Sequence, residues 1–162
     1  MLMEQPGIQN RAEKEYTFTT PLEHGLSCKR VNPDHSDFNF TLAHCWNFLE
    51  KSVEKGNTDL IQVEDIVKRI KEQNSDLWIS TDESGDIVGC FVIGVAPYPK
   101  KTGIDAEAIA GVFNFKTMLP EVEKYYKALG YEFFEMTGRK GWERVMEPLG
   151  YSFSNITIYK RL

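Results

Sequence analysis

The stretch "YEFFEMTGRKGWERVMEPLGYSF" (residues 131–153) decides the fold. Its first third alternates: Glu132, Phe134 and Met136 share one side, and Phe133, Glu135 and Thr137 the other. A period of two predicts a strand. Gly138 and Gly141 then bracket Arg139 and Lys140, a spacing that suits a tight corner or a small anion-binding turn. "GWERVMEPLG" places Trp142, Val145, Met146 and Leu149 on one side at helical spacing, so a short helix is expected. Gly150 and Tyr151 form the exit, and "SFSNITIYKRL" (152–162) reads as a closing strand.

Upstream, "AIAGVFNF" (108–115) reads as a strand, and "MLPEVEKYYKALG" (118–130) as a helix with Leu119, Val122, Tyr125, Tyr126 and Leu129 on one face. Strand, helix and the strand at 131–139 make a crossover, which predicts a parallel pair. "DLWISTD" (76–82), the turn "ESGD" (83–86) and "IVGCFVIGVAPYP" (87–99) form a hairpin signal, and "KKTGIDAE" (100–107) reads as the loop after it. Further back stand a strand at "LSCKRVNP" (26–33), a loop at 34–40, and two helices. The first, "TLAHCWNFLEKSVEKG" (41–56), carries Leu42, Cys45, Trp46, Leu49 and Val53 on one face; the second, "VEDIVKRIKEQN" (63–74), carries Val63, Ile66, Val67 and Ile70. The expected class is α/β of the α+β kind: a mixed, mostly antiparallel central sheet with helices on both faces. Residues 1–25 are polar and aperiodic, and read as a flexible or partner-docking arm ahead of one domain at 26–162.

With 162 residues the chain suits a single domain. A net charge of −5 argues against nucleic acid held by bulk electrostatics. Cys28, Cys45 and Cys90 are odd in number and irregular in spacing, which points to a reducing compartment, with Cys90 an inert core thiol. No Cys-x-x-Cys or His-x₃₋₅-His pair suggests a metal. No apolar run approaches the ~20 residues that span a bilayer, and no signal-peptide pattern opens the chain. The expectation is a soluble protein, with no membrane partner and no secretion through a signal peptide.

This element order, with its strand, short helix and Leu-Gly-aromatic turn, resembles the GNAT acyltransferase superfamily. The wording "GRKGWERVMEPLGY" resembles in particular the small GNAT-like proteins of tailed phages. The resemblance implies an acetyl-coenzyme A site. In that family a Gln/Arg-x-x-Gly-x-Gly/Ala loop leads into a helix, whose amides hold the diphosphate. Here the corresponding positions are Phe113, Asn114, Phe115, Lys116 and Thr117, which carry no glycine. The family's tyrosine acid falls on Met146, a thioether without a proton to give, with Tyr151 nearby. Glu107 and Glu135 are the candidate bases on central strands. Two functions follow. One is a degraded acyl-coenzyme A fold without a cofactor, acting as a virion-associated or accessory module. It would meet a protein partner, such as other phage virion proteins, through residues 1–25, in the host cytoplasm or the virion. The alternative is an active N-acetyltransferase that moves acetyl from acetyl-coenzyme A to a protein or small-molecule amine.

Overall fold

The computed structural model describes residues 17–19, 25–56, 60–96, 98–138, 141–154 and 160. Most of the arm and the expected closing strand at 152–162 lie outside the described residues, as do Arg139 and Lys140.

Six strands lie side by side in chain order: β1 (Thr17–Thr19), β2 (Ser27–Arg30), β3 (Ser75–Thr81), β4 (Ile87–Ala96), β5 (Gly103–Gly111) and β6 (Phe133–Met136). All neighbours are antiparallel except β5 and β6, which run parallel. The parallel pair follows from the crossover through α3 (Phe115–Ala128), as the sequence predicts. β1 draws on residues within the 1–25 segment and pairs Thr17–Thr19 with Lys29–Ser27.

Helices cover both faces. α1 (Phe38–Glu54) and α2 (Val63–Lys71) bury Leu42, Cys45, Leu49, Ile66 and Ile70 against Leu77, Ile79, Cys90 and Val92. α3 and the short α4 (Trp142–Met146) pack Met118, Val122, Tyr126 and Met146 against Trp78, Phe91 and Ile93. Successive residues of β3 and β4 thus enter opposite cores. This is why both strands read as unbroken apolar runs rather than alternating ones. The three cysteines are buried free thiols, and burial pushes the Cys28 thiol up to about 12.

Several boundaries differ from the sequence expectation. α1 begins at Phe38, inside the expected loop, because Phe38 is buried in the core beneath it. α2 starts behind a capping box in which the Gln62 amide donates to Asp65 Oδ2 at 2.9 Å. It stops at Lys71, and Gln73 adopts a positive φ of 59° two residues later. β5 starts at Gly103, so half of the expected loop at 100–107 is a central strand. It ends at Gly111, where φ is 102° and a Cβ would strike the backbone of Gly89. Residues 112–114 leave the sheet there, and α3 begins three residues before its expected start. In α4, Met146 is buried as expected, but Val145 is half-exposed instead of sharing its side.

Beneath α3 a buried polar chain ties helix to sheet. Tyr126 donates to Asp76 Oδ2 at 2.9 Å and accepts from Trp78 Nε1 at 3.0 Å, while Arg30 pairs with Asp76 at 3.5 Å. These side chains are almost fully buried, so their mutual hydrogen bonds are what make that burial tolerable.

Candidate functional site

β5 and β6 stay together for only four residue pairs, from Gly103↔Phe133 to Ala106↔Met136. β6 then ends while β5 runs on to Gly111, so residues 107–111 of β5 have no strand partner on that side among the described residues. Where the pairing stops, β5 carries a bulge. Ile93 pairs with Ala106 and Val92 with Ala108, which leaves Glu107 as the extra residue. A bulge puts two successive residues on nearly the same side and re-aims a side chain. Here it directs Glu107 toward α2.

Glu107 is held from two directions. Arg69 Nη2 lies 2.7 Å from its Oε1, and Ser75 Oγ donates to Oε2 at 2.8 Å. Its side chain is only 7% exposed. Burial raises its proton affinity, while Arg69 and Ser75 act against that rise. Gly94 makes the space: a Cβ there would overlap the Glu107 carboxylate.

Asp105 lies two residues earlier, opposite Glu135 of β6 and Gly94 of β4. Neighbouring strands stand about 4.8 Å apart, so Asp105 and Glu135 are close neighbours. Among the described residues, Asp105 Oδ1 is buried without a hydrogen-bond partner. Burial lifts the Asp105 carboxyl from 3.8 to about 6, the charges of Glu135 and Glu107 add to the rise, and Arg69 opposes it. Glu135 accepts a hydrogen bond from the Tyr98 hydroxyl at 2.8 Å.

The fold therefore places Glu107 and Glu135 each beside Asp105, which lies, like Glu107, in the stretch expected as a loop. Tyr151 stands elsewhere. Its hydroxyl donates to Glu123 Oε1 of α3 at 2.6 Å and its ring meets Phe134. Burial and that carboxylate push its phenol well above the usual range, so its proton is held against α3.

The five cofactor candidates surround the start of α3. Phe113 and Asn114 form the lead-in, and Phe115, Lys116 and Thr117 the first turn. The amides of Thr117 and Met118 donate to the Asn114 carbonyl, as does Thr117 Oγ1. Asn114 is the cap residue, and its side chain makes no capping bond. The first two helix amides, of Phe115 and Lys116, are those a helix leaves open to an anion. Lys116 is exposed beside them. Phe113 packs on Phe91 and Phe115, and Phe115 meets Trp142 at 5.3 Å. Among the described residues no helix is long and apolar enough to cross a membrane, and no group of His, Cys, Asp or Glu is arranged to hold a metal ion.

Solved structures with this architecture are numerous. The structure of AAC(6')-Iy in complex with the bisubstrate analog CoA-S-monomethyl-acetylneamine superposes with a TM-score of 0.61 at 13% identity, covering 85% of this chain and 97% of that one. The fold is that of the GNAT acetyltransferases. An acetyltransferase from Trypanosoma brucei gives a TM-score of 0.59 at 13% identity over 85% of this chain and 99% of that one. The aminoglycoside 6'-N-acetyltransferase AAC(6')-Ih from Acinetobacter baumannii gives 0.60 at 8% identity over 85% and 98%. No protein-family profile matches the chain, and no curated protein matches it in sequence.

Proposed function

We propose that this domain is an amine N-acetyltransferase in which Asp105 accepts the proton of the acceptor amine. One observation carries the reading: Oδ1 of Asp105 is buried without a hydrogen-bond partner among the described residues, beside Glu135 and Glu107 near the end of the β5–β6 pairing. An amine arrives at neutral pH as an ammonium and must lose a proton before it can attack. The acidic cluster attracts the cation. A carboxyl that titrates near 6 is ionised at pH 7 yet close enough to neutrality to take a proton efficiently. Glu107, paired with Arg69 and hydrogen-bonded by Ser75, raises the proton affinity of its neighbour.

The residues present fit acetyl-coenzyme A at one end. The open amides of Phe115 and Lys116, with the Lys116 ammonium, match the charge of a diphosphate. Bound there, acetyl-coenzyme A supplies the acyl thioester. The chain's own residues orient the amine and remove its proton. The AAC(6')-Iy structure, which holds a coenzyme A bisubstrate analog on the same fold, supports that choice of cofactor.

The test is direct. The purified full chain is incubated with acetyl-coenzyme A and a panel of primary amines, and acetylated product is read by mass spectrometry. Asp105→Asn is expected to lower turnover about 100-fold or more while coenzyme A affinity by calorimetry stays unchanged. A wild-type chain that binds no coenzyme A overturns the reading.

That outcome would favour the second reading, a non-catalytic module on the same fold, of the phage virion-associated or accessory kind, that meets a protein partner through residues 1–25. Two observations speak for it. The Ile109 amide, which points away from β4 beyond the end of β6, already donates to Ser52 Oγ at 3.0 Å. The start of α3 also has no glycine to let phosphates approach, and Phe115 rests on Trp142 beside it.

A further inference from the structure

We propose that Tyr98 is a positioning residue for this site: its hydroxyl fixes the Glu135 carboxylate beside Asp105. The inference rests on the transferase reading and adds a residue outside both flanking strands.

Tyr98 lies in the connection between β4 and β5, a segment attached to β6 at both ends. At one end the Tyr98 hydroxyl donates to Glu135 Oε2 at 2.8 Å, and its ring stands edge-on to Phe133 at 5.5 Å. At the other, the Thr102 amide donates to Glu132 Oε2 at 3.0 Å, and the Glu132 amide donates to the Thr102 carbonyl at 2.8 Å. Phe133 in turn fills the space that a side chain at Gly103 would need. The loop is thus stapled across the start of the parallel pair, and Tyr98 is its one contact with the acidic cluster among the described residues.

The electrostatic consequence follows from which groups face Asp105. Burial raises its proton affinity most, Glu135 of β6 and then Glu107 of β5 add to the rise, and Arg69 of α2 lowers it. Ser75 of β3 donates to Glu107 and Tyr98 to Glu135. A donor to a carboxylate stabilises the charged form. Tyr98 therefore holds the Glu135 carboxylate in place beside Asp105, whose buried Oδ1 has no hydrogen-bond partner among the described residues.

The experiment follows the Asp105 side-chain carboxyl by carbon NMR across pH 4 to 8 in the full chain, without any ligand. It compares wild type, Tyr98→Phe, Glu135→Gln and the double variant. Tyr98→Phe keeps the ring on Phe133 and removes only the donor. The Asp105 midpoint is expected to fall by about half a pH unit or more in Tyr98→Phe and further in Glu135→Gln. The double variant should match Glu135→Gln alone, since Tyr98 acts only through Glu135. An unchanged midpoint in Tyr98→Phe, or additive shifts in the double variant, overturns the proposal. If Tyr98→Phe does not fold, Glu135→Asp withdraws the carboxylate from the same hydroxyl and should lower the midpoint in the same direction; no shift there also overturns it. In the transferase assay the acid limb of kcat/KM should move with the same order. The NMR result stands whether or not the chain transfers acetyl, so failure of the two readings is distinguishable.

Discussion

Replacing Asp105 with asparagine should stabilise the protein at neutral pH and not at acid pH. The carboxyl rises from 3.8 to about 6 on folding. At 1.36 kcal/mol per pH unit, that gap corresponds to about 3 kcal/mol. Because part of the group is exposed, solvent screening reduces the expected value to about 1–2 kcal/mol. The sign follows from linkage. The native state holds the Asp105 proton more tightly than the unfolded chain does, so this contribution to stability is fully present below pH 3.8 and is lost as pH rises through about 6. At pH 7.5 wild type carries the whole penalty of a buried charge among carboxylates, and the asparagine variant carries none. At pH 4.0 only a few tenths of a kcal/mol should separate them. Urea unfolding followed by the fluorescence of the buried Trp78 measures both at pH 4.0, 5.5 and 7.5. Groups that titrate identically in the two proteins cancel in the difference. A stability difference that is the same at pH 4.0 and 7.5, or an asparagine variant that is the weaker at pH 7.5, would refute the reasoning. Coupled with loss of acetyl transfer, the predicted gain would mark Asp105 as a residue kept for function at a cost in stability.

Other perturbations test the scaffold and the cofactor end. Tyr126→Phe removes the donor to Asp76 and the acceptor of Trp78 Nε1, and should lower stability by about 2 kcal/mol, read from the urea midpoint. Gly94→Ala forces a methyl into the Glu107 carboxylate and should lower stability by about 1–3 kcal/mol; stability equal to wild type would mean that Glu107 moves freely. Lys116→Glu places a negative charge at the open end of α3 and should weaken coenzyme A binding about tenfold or more by calorimetry, while the melting temperature stays close to wild type.

The sequence carried most of the fold because its helices and hairpin obey simple periods. Leu42, Cys45, Leu49 and Val53 lie on the buried face of α1 as their spacing requires. Trp78 and its neighbours in β3 form a continuous apolar run because they serve two cores at once. What the sequence concealed was the first half of β5. "KKTGIDAE" has the glycine, lysines and acids of a loop, yet Ile104, Ala106 and Ala108 are buried. Alternation of Ile104 and Ala106 with Asp105 and Glu107 was the available signal. The bulge then shifts the phase, so that Glu107 and Ala108 follow one another on the same side and the period of two fails.

The same features explain why the candidate site was only half legible. Glu107 and Glu135 stand out as acids with apolar neighbours on either side, but their partners come from far away in sequence: Arg69 and Ser75 for one, Tyr98 for the other. Asp105 gains its character from the register that sets it opposite Glu135, which no local pattern encodes. Sequence period reports which residues avoid water; it does not report which acids will be pushed together. The acidic cluster runs against the preference for keeping like charges apart, and among the described residues Arg69 forms its ion pair with Glu107. Two carboxylates facing each other across β5 and β6, one with a hydroxyl donor and one with a bare oxygen, do little for a fold. They suit a site that waits for an incoming cation, and it is at such sites that local rules are expected to fail.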